Sequence, residues 1–180
     1  TLGNTGLAQV GQAAGVEASI FMVSDGAAHP GLRAGLANLL TGGVARIVLA
    51  SALPSISAAS TRIDGATQTA NVGNTNAVTL GAGGTVGLDA LALATVAGPE
   101  VEIVDGAAIG LGLDLEGAND EVNAVAIRGF GNAPASNIDA NVLVGAAASG
   151  VRITACVLGA TATSFADPGA AARSGGDQVR

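Results

Sequence analysis

Short apolar runs, each closed off by Gly, Pro, Asn or Asp, recur along the chain, and their spacing restricts the fold more than any single motif. Candidate strands span residues 46–51, 60–64, 100–104, 111–115, 122–128, 141–144 and 151–158, each bounded by turn formers. Taking Ile103, Ile127 and Ile153 as equivalent positions gives steps of 24 and 26 residues, close to the length of one coil in a parallel β-solenoid. No helical periodicity fills the intervals, which argues against a βαβ sheet, and tight Asn-Gly hairpin signals are lacking. The spacing therefore predicts an all-β chain folded as a right-handed parallel β-helix, with a β-sandwich as the alternative.

The interior of such a fold must be made from small pieces. Hydrophobic residues form 49% of the 180-residue chain, yet the aromatic residues are only Phe21, Phe130 and Phe165, so Ala, Val, Leu and Ile have to fill thin, regular layers. A chain of this length buries roughly 70% of its unfolded surface as one domain. Residues 30–40 place Leu32, Leu36, Leu39 and Leu40 on one helical face, with Pro30 at the start and Gly42-Gly43 as a stop. That pattern predicts a short N-terminal capping helix over the open end of the solenoid, where unpaired strand edges need cover. The chain then divides into an N-terminal segment with the cap helix, residues 1–45, and strands with lateral loops, residues 46–180. Polar, turn-forming stretches at 66–98, 129–140 and 159–176 are expected as three loops, and if they leave one side together they make a face for binding.

Charge narrows the partners. All seven basic residues are Arg, against 14 acidic residues, for a formal charge of −7. Scattered Arg cannot supply the clustered positive surface that phosphate binding needs, so neither nucleic acid nor an anionic membrane is expected as a partner. Mean hydropathy is +0.53, but no apolar run of 18 or more residues is free of interruption, and no membrane insertion is expected. Cys156, the only cysteine, lies in an alternating apolar stretch and is read as an inert core thiol. No basic stretch followed by an apolar one opens the chain, so any secretion signal is expected to lie outside these residues.

Few residues offer chemistry. Asp114, Glu116, Asp120 and Glu121, with Asn119, form the densest oxygen cluster; they are the candidate Ca²⁺ ligands, although the spacing is not that of an EF-hand and a hydrated turn is the plainer reading. His29 has no neighbouring His or Cys and is read as a helix-start residue rather than a zinc ligand. The glycines at 81–84 lack the following Lys of a phosphate loop. Arg128 and Arg152 are placed on corresponding strands, facing outward beside Glu100, Glu102 or Asp105 as a solvated ladder of ion pairs. The enzymatic alternative, a polysaccharide lyase or glycosidase, would need that array to work as a base with carboxylates. No catalytic or cofactor-binding residue is expected, and no cofactor other than Ca²⁺ is considered.

The segment Ser24-Asp-Gly-Ala-Ala-His-Pro-Gly-Leu-Arg-Ala-Gly-Leu-Ala-Asn, followed by Ile47-Val-Leu-Ala-Ser-Ala-Leu-Pro-Ser-Ile and Thr61-Arg-Ile-Asp-Gly-Ala-Thr-Gln, resembles the opening of large secreted bacterial cell-surface proteins with a pectate-lyase-like β-helix. Later stretches, Gly84-Thr-Val-Gly-Leu-Asp-Ala-Leu, Pro99-Glu-Val-Glu-Ile-Val and the run from Asp167 to Asp177, extend the likeness over most of residues 24–180. The resemblance implies an extracellular or cell-envelope location and carries no catalytic residues with it. The expected function is a non-enzymatic structural or assembly module, a rigid spacer or a filament or surface-layer subunit. The alternative is a module binding glycan or an envelope component through the lateral loops. Self-association, or association with neighbouring domains of a longer chain, is expected, because the strands stop near Arg180 without a polar cap.

Overall fold

The computed structural model describes residues 15–80, 84–131, 138–164 and 166–180. Its strands are β1 (Glu17–Ile20), β2 (Ala45–Leu49), β3 (Thr61–Asp64), β4 (Thr79–Leu80), β5 (Thr85–Val86), β6 (Leu91–Ala92), β7 (Val96–Ala97), β8 (Val101–Asp105), β9 (Leu111–Leu115), β10 (Glu121–Asn123), β11 (Val125–Arg128), β12 (Ala140–Val144), β13 (Arg152–Thr154), β14 (Val157–Leu158) and β15 (Asp177–Val179). One helix, α1 (Ala66–Val72), lies among them. Three sheets are parallel: β1-β3-β10-β13, β2-β8-β11-β14 and β9-β12-β15. Two further pairs, β4 with β7 and β5 with β6, are antiparallel.

This arrangement corrects the expected fold. The described residues form several short sheets of both senses around one helix, and no closed coil of a right-handed parallel β-helix is seen among them. The spacing reading fails at its last step. Ile103 does pair with Ile127, but the partner of Ile127 on its other side is Leu158. Ile153 lies in another sheet, opposite Val122. The reason is a break inside two expected strands: Ala124 and Ala155 adopt φ values of 53° and 51°, a left-handed conformation that costs an L-residue roughly 1–2 kcal/mol. Each turns the chain out of the first sheet into the second, so 122–128 and 151–158 become two strands apiece. The Ala124 amide, donating to the Thr154 carbonyl at 3.0 Å, helps to offset that cost.

The expected cap helix is also absent. Residues 30–40 form turns, with isolated bridges joining Asp25 to Asn38 and His29 to Leu32. Gly31 and Gly35 sit at φ 88° and 81°, which no α-helix accommodates. The polar run expected as a loop contains the helix instead. Gln68, fully buried, accepts from the Val23 amide at 2.7 Å and donates to the Val23 carbonyl at 2.8 Å. Thr67 Oγ1 accepts from Phe21 N, and Asn71 donates to Phe21 O. Side chains that would otherwise make α1 a poor helix become its tertiary ties. Beyond the helix the chain runs through the antiparallel pairs as an arm. Part of the glycine stretch at 81–84 and much of the loop at 129–140 fall outside the described residues.

The core consists of aligned apolar rows that cross the parallel sheets. Ile47, Ile103, Ile127 and Leu158 stand in register on β2, β8, β11 and β14, and Ile63, Val122 and Ile153 do so on β3, β10 and β13. Leu113, Val142 and Val179 make the row of the third sheet. Phe130 is fully buried in the same cluster. Burial is complete in mid-row and declines at the ends: Ile127 is 0% exposed, whereas Val179 is 45% exposed.

Candidate functional site: sheet edges, ion pairs and two clefts

At the middle of the second sheet, Glu102 on β8 is buried between two arginines of neighbouring strands. Arg46 Nε on β2 donates to Glu102 Oε2 at 2.6 Å, Arg128 Nε on β11 donates to Oε1 at 2.9 Å, and the Ala162 amide adds a third bond at 3.3 Å. Burial pushes the Glu102 carboxyl up, but the hydrogen bonds from Arg128 and Arg46 outweigh it and hold the group below its ordinary value. Arg128 is therefore not the outward, solvated side chain expected from the sequence, because it is buried on Glu102. Nor does it share a sheet with Arg152, which stands on β13 opposite Glu121.

Glu100, also expected outside, is buried at the base of the arm. It accepts from the Thr75 hydroxyl at 2.7 Å and from the Asn76 amide at 2.9 Å, while Asn76 Nδ2 donates to the Pro99 and Ala162 carbonyls. These groups lock the arm to β8. Sequence reasoning missed Arg46, Gln68, Thr75 and Asn76, since polar residues at these positions look like ordinary surface until the partner backbone is known.

The four candidate Ca²⁺ ligands do not converge. Asp114 accepts from the Ser55 hydroxyl, Asp120 is buried and accepts from the Thr61 and Gly117 amides, and Glu121 stands 3.4 Å from Arg62. Glu116 lies against Gly145. Among the described residues no group of three or more His, Cys, Asp or Glu side chains is placed to hold a metal. His29 occupies a tight turn with Nε2 2.9 Å from Asp25 Oδ1. The Ala27 amide and then His29 hold the Asp25 carboxyl below its usual range.

Among the clefts beside the parallel sheets, two differ in character. The first, about 550 Å³, is polar and is lined by Ser60, Arg62, Asn119, Glu121 and Arg152 among others; Arg62, Glu121 and Arg152 are register neighbours on β3, β10 and β13. The second, about 540 Å³, is apolar. Ile153, Cys156, Leu158 and Val179 form one wall, and Leu80 and Val96 of the arm form the other. Cys156 is half-buried here, not a fully enclosed core thiol, and burial pushes its pKa up. The strands of the first wall, β13, β14 and β15, are each the last of their parallel sheet. Among the described residues no strand lies beyond them. No helix among the described residues is long and apolar enough to cross a membrane.

Searches against family models, curated proteins and solved structures find no match for the chain.

Proposed function

We propose that this chain is a non-enzymatic structural module whose β13–β15 end joins it to another folded unit in an extracellular or cell-envelope assembly. The observation that carries the reading is the coincidence, at one end, of three outermost strands and an apolar cleft. Unpaired amides and carbonyls of an edge strand recruit further strands, and half-covered apolar rows gain burial when another layer is added. The likeness of residues 24–68 to secreted surface proteins supports the location. A second reading, recognition of a glycan or another envelope component, is favoured by the polar Arg62–Glu121–Arg152 cleft. With no Trp or Tyr in the chain, sugar rings lack their usual stacking platform.

Light scattering over a concentration series tests the first reading. The mass of the chain is expected to rise with concentration, and Thr154→Lys with Val179→Lys, which put charges on two of the edges, should hold it at the monomer. A monomer at every concentration in both proteins would overturn association through these edges. Retention on a glycan array that is lost in Arg62→Ala would favour the second.

A further inference from the structure

Each parallel sheet has two outer strands, so the β13–β15 end has a counterpart. The first sheet ends on β1, the second on β2 and the third on β9, beside which Ile56 already forms a parallel bridge with Leu115. Among the described residues no strand lies beyond β1 or β2, and both run in the same direction as the other strands of their sheets, while the third sheet is bordered by Ile56 at β9. A copy of the chain displaced along the stacking direction would present β1 to β13 and β2 to β14 without reversing either strand.

We infer that the unit joined to β13–β15 is a second copy of this chain, stacked head to tail so that its β1 and β2 continue the first and second sheets. The inference rests on the assembly reading above and names its partner. Register supports it. Continuing the pairing sets Leu158 against Ile47 of the next copy, which prolongs an Ile47–Ile103–Ile127–Leu158 row that is apolar throughout. Both terminal members of that row are only partly buried, while Ile103 and Ile127 are buried. In the first sheet the same continuation sets Arg152 opposite Ala18. The Arg62–Glu121–Arg152 column, which alternates in sign, would then end on a small neutral residue, so the exposed Arg152 meets no like charge. The reverse arrangement, β13–β15 against the same edges of a partner related by a two-fold axis, would set these strands against themselves and so would not continue the Ile47–Ile103–Ile127–Leu158 row. Head-to-tail contacts that do not close into a ring grow into an open filament.

Disulfide trapping separates the arrangements. In a Cys156→Ala background, Ala18→Cys together with Arg152→Cys should give, on mild oxidation, a reducible ladder of dimers, trimers and longer species, since register partners on adjacent strands lie within bridging distance. An equimolar mixture of the two single variants should stop at a mixed dimer. Dimers from Arg152→Cys alone, at least as abundant as the mixed species, would overturn the head-to-tail arrangement while leaving association through the edge intact. Absence of any bridged species from protein whose circular dichroism matches the parent would overturn the inference as well. Association of that same protein in light scattering would then leave the broader assembly reading standing, and a monomer there would remove both.

Discussion

Replacing Arg128 with Ala measures how much the Glu102 network contributes to the fold. Glu102 is almost wholly enclosed, with its side chain 1% exposed, and Arg128 is nearly so, at 11%, whereas Arg46 is 34% exposed. Arg128→Ala removes a charge-assisted bond and leaves Oε1 with only the 3.3 Å contact from Ala162 N. A hydrogen bond to a charged group contributes about 1.5–3 kcal/mol, and lost packing of the buried stem adds to it, so a loss of about 2–3 kcal/mol is expected. Arg46→Ala should cost about 1 kcal/mol or less, because water reaches its place and screens the carboxylate. Glu102→Leu should be the most damaging, at about 3–5 kcal/mol, since it strands the Arg128 charge in the interior. Urea denaturation followed by circular dichroism at pH 7 gives all three values, provided the slope stays constant. The pH dependence follows from the lowered pKa of Glu102: its contribution is fully present above the ordinary value of 4.5 and disappears as pH falls through the lower folded value. The stability gap between the parent and Glu102→Gln should therefore shrink below that range. An Arg128→Ala protein no less stable than Arg46→Ala would refute the reasoning.

Other substitutions test the rest of the structure. Gln68→Ala should destabilise by about 1–3 kcal/mol in the same urea assay, because it leaves both the amide and the carbonyl of Val23 without their partner. Ile127→Asp should abolish folding by burying an unpaired charge, whereas Ile153→Asp, at a partly buried row end, should give soluble folded protein by circular dichroism. Gly65→Ala should lower thermal stability markedly, since a Cβ there would run into the Ala124 carbonyl. Native Cys156 should react with a thiol-specific disulfide reagent at pH 8 more slowly than the same thiol in urea, because burial disfavours its thiolate.

The strands were legible in the sequence and their partners were not. The runs at 46–51, 60–64, 100–104, 111–115 and 141–144 lie on β2, β3, β8, β9 and β12, because short runs rich in apolar residues and bounded by turn residues signal extended backbone locally. Pairing depends on where the chain bends, and the bends at Ala124 and Ala155 carry no residue signal, since an alanine at positive φ is tolerated only where surrounding bonds hold it. A 24-residue step between Ile103 and Ile127 thus identified real neighbours, while the next 26-residue step crossed a bend into a different sheet. Residues 30–40 failed for the opposite reason. The leucines fall at helical spacing, but Gly31 and Gly35 at positive φ set the backbone there.

The buried polar groups show why a core so poor in aromatics still has one arrangement. Rows of Ile, Val and Leu are interchangeable in chemistry, so shifting one strand along its neighbour by two residues would keep apolar side chains facing inward. Such a shift would separate Arg128 and Arg46 from Glu102, or Asp64 from the Asn123 amide that donates to it at 2.9 Å. A displaced Glu102 would then be enclosed without its arginine donors, and Asp64 would lose the Asn123 amide, penalties that apolar packing does not return. These ties span the interior strands: β2, β8 and β11 around Glu102, and β3 with β10 through Asp64 and Asn123. At β14 and β15 the register is held chiefly by backbone pairing and by the Gln178–Asn141 bond. A strand added at these edges would meet an alignment already set from within, so that only one matching the existing row positions would complete them.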